Sequence, residues 1–246
     1  MRFPCALWAP KSFLCRSIAV AAGAVLLVGL SASPANAKKK PPPTYSVFAG
    51  YQYPSASVTS ETATVVLPKV SCKKKQASNP DINADVQLNA TDSENDNTNW
   101  SEVFFACETG ARNKVIGYYT PFLFIDGSQQ STGSLTVHAG DTVVLTVSCG
   151  GAGSTVSLDD VTSSTSASAS SSTPSSCTGG LVGQYGGSDG IPKLGNVAWS
   201  GVNINGSSLG SLSPTSSSYY VGKGDGILMV GSLTDGGTAF TNTYSK

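Results

Sequence analysis

The chain has 246 residues, of which 15 are Lys or Arg and 15 are Asp or Glu, so its formal net charge is zero. Charged residues make up only 12 % and hydrophobic ones 39 %. The length allows one or two domains, and the balance of charge excludes the basic footprint expected of a nucleic-acid-binding domain.

The first 37 residues read as a secretion signal. Arg2, Lys11 and Arg16 charge its start, an apolar run follows from Ile18 to Leu30, and Ala35-Asn36-Ala37 sets small residues where signal peptidase reads. The apolar run is too short for a stable membrane anchor. Cleavage is therefore expected after Ala37, with the mature chain secreted, free of a transmembrane segment and exposed to an oxidising compartment. The remaining 209 residues carry 12 basic and 15 acidic side chains, a net charge of −3. Residues 38–44 open this chain as a Lys/Pro-rich leader. It reads as a solvated, extended segment, with a tether to anionic cell-surface polymers as the alternative.

From Tyr45 onward short strands follow one another. Tyr45–Tyr53 ends at Pro54, and Ser57–Leu67 stops at Pro68. Ala84–Leu88 alternates, with Val86 and Leu88 on one face, and Glu102–Ala106 is short and apolar. Val115–Ile125 is the longest β-type run and ends at the turn Asp126-Gly127. Leu135–Val137 leads into the turn His138-Ala139-Gly140-Asp141, and Thr142–Val147 and Thr155–Val161 follow. Ser163–Ser176 is almost all Ser, Thr and Ala and reads as a Ser-rich loop. Gly180–Tyr185, Asn196–Ile204, Ser218–Val221, Ile227–Val230 and Thr238–Tyr244 complete the series. No segment shows a helical period, so the chain is expected to be all-β, a sandwich or barrel. A single domain over 45–246 is the expectation.

Cys5 and Cys15 leave with the signal, and Cys72, Cys107, Cys149 and Cys177 remain. Four cysteines permit three connectivities. The pairing Cys72–Cys107 and Cys149–Cys177 is favoured, each bridge closing a loop of about thirty residues worth about 3–4 kcal/mol of chain entropy. Ligand spacing is too wide, and histidine too scarce, for zinc. His138 reads as a surface turn residue. The acidic stretch Asp92–Asn99 reads as a polar loop, since Asn97 stands where a calcium loop needs Gly. No cofactor and no metal are expected.

Several segments resemble the glutamic peptidases, the eqolisin family, and most closely its bacterial secreted branch. Phe48-Ala49-Gly50-Tyr51 is similar to that family's Trp-Ser-Gly-Tyr opening. Residues 62–72, TATVVLPKVSC, resemble its strand ending in Pro-x-Val-x-Cys. Val137-His138-Ala139-Gly140-Asp141 resembles its Val-x-Pro-Gly-Asp turn, and residues 194–201, LGNVAWSG, its Phe-Gly-x-Val-x-Phe segment. The resemblance covers residues 48 to 206 in order. It implies a concanavalin A-like β-sandwich of two antiparallel sheets, one of them bent around a groove. There the family's Glu activates water and its Gln stabilises the oxyanion.

The catalytic residues do not carry over. The family's Glu position falls on Leu123, and its Gln position falls near Trp100, with no Gln between Gln87 and Cys107. Glu102 is the only carboxylate in the strand before Cys107, and its ordinary reading is a solvent-facing charge. If Leu123 keeps the orientation of the family's Glu, then Tyr119, Pro121, Leu123 and Ile125 line the groove, together with Trp100. The expectation is thus a secreted, disulfide-bonded, non-catalytic scaffold (a pseudoenzyme) that binds at an extracellular site or cell surface. A divergent acid endopeptidase using Glu102 and a carbohydrate-binding module are the alternatives. The corresponding partners are a peptide or a polysaccharide.

Overall fold

The computed structural model describes residues 48–245 except 80, 93–97, 188 and 221–226. The expected signal, its cleavage at Ala37, the Lys/Pro leader and most of the Asp92–Asn99 loop lie outside the described residues.

Sixteen strands are described. In chain order they begin with β1 (Phe48–Val58), β2 (Ser60–Val66), β3 (Asn83–Asp92), β4 (Thr98–Thr109), β5 (Val115–Ile125) and β6 (Ser128–Gln130). Next come β7 (Thr142–Gly150), β8 (Gly153–Asp160), β9 (Thr165–Ser171), β10 (Cys177–Tyr185), β11 (Val197–Ile204) and β12 (Ser207–Ser208). The last are β13 (Thr215–Ser217), β14 (Tyr219–Tyr220), β15 (Ile227–Val230) and β16 (Phe240–Ser245). A seven-stranded sheet has the order β13-β1-β10-β3-β4-β5-β6. A nine-stranded sheet runs β14-β15-β16-β11-β2-β7-β8-β9, with β12 attached to β11. Every strand pairing is antiparallel. The all-β expectation holds, as two antiparallel sheets packed face to face. No helix among the described residues is long and apolar enough to cross a membrane.

Alternation along each strand builds the core. From the seven-stranded sheet Val86, Leu88, Val103, Phe105, Leu123 and Val182 point inward, and from the nine-stranded sheet Ala63, Val65, Val143, Leu145, Val156, Leu158 and Trp199 meet them. Both favoured disulfides are present, Cys72–Cys107 and Cys149–Cys177.

Three expectations change. Ser163–Ser176 is not a loop throughout, because β9 runs through it and pairs with β8 in seven successive positions. Its Ser-Ala alternation explains this: Ala167 and Ala169 pack against the core while Ser166, Ser168 and Ser170 face water. The tight entry is held by Asp160, whose carboxylate accepts from the Thr162 and Ser163 backbone N–H groups and from the Ser163 hydroxyl. Second, β1 continues past Pro54, but its pairing with β10 slips between Tyr53 and Ser57, as a residue without an N–H requires. Third, Leu135 and Val137 form no strand. Both are buried ahead of the His138–Asp141 turn, where Asp141 accepts from the His138 N–H at 2.6 Å.

Candidate active site on the outer face of the seven-stranded sheet

The side chains that alternate away from the core on β3 and β4 are polar or aromatic. On β3 they are Asp85, Gln87 and Asn89, and on β4 they are Thr98, Trp100, Glu102 and Phe104. In register, Gln87 lies directly opposite Glu102 and Asn89 directly opposite Trp100. With Tyr185 of β10, these residues apart from Phe104 line a hollow of about 430 Å³.

Each carboxyl of the hollow has one fixed donor. The Tyr185 backbone N–H donates to Asp85 Oδ1 at 3.1 Å, and the Trp100 indole N–H donates to Glu102 Oε2 at 3.0 Å. Burial pushes Asp85 up from 3.8 to about 7, against the pull of the Tyr185 N–H. Burial also pushes Glu102 up from 4.5 to about 8; the nearby Asp85 charge adds to this and the Trp100 bond opposes it. Among the described residues neither carboxyl forms an ion pair. Gln87 is only 7 % exposed, lines the hollow, and its amide has no hydrogen-bond partner among the described residues. Two carboxyls sharing one site cannot both ionise freely, so they can divide acid and base roles between them. An adjacent amide can donate to developing negative charge.

The hollow is bounded by rings. Trp100 stacks on Phe124 with centroids 3.9 Å apart, and Phe122, directly opposite Glu102, touches Phe104 and Phe124. Across the sheet, Gly50 and Gly183 face each other, and a Cβ on Gly183 would come within 2.4 Å of the Ala49 carbonyl. Their missing side chains let the Phe48 ring lie over the pair, 5.0 Å from the Tyr185 ring.

The expected lining is therefore half corrected. Trp100 lines this hollow. Leu123 and Tyr119 do not: Leu123 is fully buried in the core, and Tyr119 turns inward to donate its hydroxyl hydrogen to the Pro68 carbonyl at 2.7 Å. Pro121 and Ile125 are buried on the same inner face. The cause is register. Leu123 pairs with the buried Ser101, while Phe122 pairs with Glu102. The condition that would have turned this β5 face outward, Leu123 keeping the orientation of the family's Glu, is not met, these residues are packed core instead, and Asp85, Gln87 and Tyr185 were missed as site residues. The signal for two of them was present, since Asp85 and Gln87 alternate with the apolar Val86 and Leu88.

No family model matches the chain, and neither does any curated protein. Among solved structures, scytalido-glutamic peptidase bound to a transition-state analogue inhibitor matches with a TM-score of 0.57 at 16% identity. The same peptidase with a peptide-based analogue gives 0.58 at 14%. SCP-B, described as a member of the eqolisin family and bound to the tripeptide Ala-Ile-His, gives 0.56 at 15%. Each match covers 81% of this chain and 98% of the other. Identities this low speak for architecture alone, and the architecture is that of the glutamic peptidases: the chain has a glutamic-peptidase-like β-sandwich fold.

Proposed function

We propose that the protein is a secreted hydrolase of polypeptide chains whose working groups are Asp85, Glu102 and Gln87. The observation that carries this reading is the meeting of two carboxyls and an unengaged amide in one hollow. The residue types are those that peptide hydrolysis requires: a carboxylate to take a proton from water, a carboxylic acid to return one, and an amide to hold the oxyanion. By the sequence resemblance, the Glu and Gln of the glutamic peptidases would fall elsewhere, at Leu123 and near Trp100. The two disulfides suit export, as the signal-like N-terminus implies. Burial raises both carboxyls, and the nearby Asp85 charge raises Glu102 further, so the singly ionised pair lies well above the strongly acidic range.

The test is incubation of the purified mature chain with denatured casein from pH 3 to pH 9, with products read by mass spectrometry. Cleavage is expected to peak near neutral pH and to vanish in the double variant Asp85→Asn/Glu102→Gln. Absence of cleavage across the whole range would sink the hydrolase.

A second reading, a non-catalytic binding protein, is favoured by one observation. Leu123, which the sequence resemblance sets at the family's Glu position, is buried, and its outward neighbour is Phe122. Retention of denatured casein without cleavage, weakened by Trp100→Ala, would support it. For a polysaccharide ligand, Trp100 could offer only one ring face, since Phe124 covers the other.

A further inference from the structure

We infer that the charge of the pair sits on Asp85 and the proton on Glu102, so that Asp85 activates the water and Glu102 protonates the leaving amine. This rests on the hydrolase reading and assigns its roles. It gives Asp85 the part of base in the addition of water and Glu102 the part of acid in the expulsion of the amine.

The surroundings of the two carboxyls decide the assignment. Asp85 is held between β4 and β10, where a backbone N–H points at Oδ1 and the Tyr185 side chain stands beside it. A peptide N–H fixed in a sheet is a permanent donor that favours a carboxylate. Glu102 is surrounded differently. Trp100 and Phe104 flank it on β4 and Phe122 faces it from β5. Its one fixed donor is an indole N–H. Aromatic walls penalise an ion far more than a neutral acid. No Lys or Arg among the described residues pairs with either group, and the one described histidine is engaged with Asp141 in a distant turn.

The chemistry balances. Asp85 takes a proton from water as the water oxygen bonds to the scissile carbonyl carbon. The carbonyl π pair moves onto oxygen, toward the Gln87 amide. When that pair returns, the C–N bond breaks and nitrogen takes the proton held by Glu102. One proton then passes from the Asp85 carboxyl to the Glu102 carboxylate, which restores the starting state with one water consumed.

A substrate pair separates these roles: a peptide amide, whose leaving amine needs a proton, and the matching p-nitrophenyl ester, whose leaving group does not. Glu102→Gln is expected to slow amide cleavage about 100-fold, the lower end for loss of a general acid, and to slow ester cleavage far less. Asp85→Asn is expected to slow both alike, and Asp85→Glu to recover part of each. The amide pH profile should lose its alkaline limb in Glu102→Gln and its acidic limb in Asp85→Asn. Carboxyl 13C NMR titration of the wild type should show Asp85 ionising first. The opposite ester–amide pattern, or Glu102 ionising first, overturns the assignment while leaving the hydrolase standing. A wild type that cleaves neither substrate overturns both.

Discussion

Among the described residues, two glutamates are withdrawn from water, and only one of them lines the hollow. Glu61, on the inner face of β2, is 1 % exposed and lies between Val147 and Ile204 on the neighbouring strands. Both its carboxyl oxygens lack a hydrogen-bond partner among the described residues. Glu102, on the outer face of β4, has a donor, a second carboxyl, an amide and a hollow before it. Burial raises the proton affinity of both. The contrast shows that desolvation alone makes a buried acid, whereas reactivity also needs space and partners that the ion can use.

The largest expected effect comes from adding another carboxyl of the Glu61 kind. Leu123→Glu, which restores the family's residue in name, would place an acid in the sealed core. Its cost is expected to exceed about 4 kcal/mol in urea unfolding, a range reserved for cavity or buried-charge lesions. Phe122→Glu, one position away on the outer face, should cost about 1 kcal/mol or less. Equal costs would contradict the register of β5.

A middle-sized effect concerns pH. Asp85, Glu102 and Glu61 all have folded-state pKa values above their ordinary ones. Each therefore binds protons more tightly when folded. Its stabilising contribution is fully present below the unfolded value and is lost as pH rises through the folded one. For Asp85 the window runs from 3.8 to about 7, and for Glu102 from 4.5 to about 8. The slope is up to about 1.4 kcal/mol per pH unit for each group. Melting temperature should thus fall between pH 5 and pH 8. Glu61→Leu, which removes the acid without opening a void, should flatten part of that fall and raise the melting temperature at pH 8. A melting temperature that climbs over this range would show that these carboxyls are not raised in the folded chain.

The smallest effect tests the donor that Glu102 has and Glu61 lacks. Trp100→Phe removes the indole N–H but keeps the ring over Phe124. Stability should change by about 1 kcal/mol or less, the scale of one hydrogen bond. The Glu102 titration, followed by carboxyl NMR, should move further up. A downward move would mean that the indole does not stabilise the ion.

The architecture was legible because strands announce themselves locally. Val115–Ile125 was bounded to the residue, and the cysteine spacing favoured the observed bridges. The Ser-rich stretch was misread because small polar residues look like a loop until a neighbouring strand supplies hydrogen bonds and a surface for Ala167 and Ala169. The site was legible only in pieces. Trp100 and Glu102 stood out, but which face of β5 turns outward depends on pairing across strands, and a one-residue difference in register exchanges Leu123 for Phe122. Asp85 meets Glu102 only through the β3–β4 pairing, which no local pattern states.

The Cys149–Cys177 bridge has a consequence for how the chain answers a protease. The residues it encloses, 150–176, include the β8–β9 turn at the border of the nine-stranded sheet, with Ser164 at a positive φ of 56°. A cut at that turn severs the backbone yet leaves both pieces covalently joined at the base of the hairpin. Nicked molecules would migrate as intact on a non-reducing gel and as two fragments after reduction. Chain continuity and molecular integrity are thus separate properties in this segment, and its most exposed turn can be lost without freeing either half.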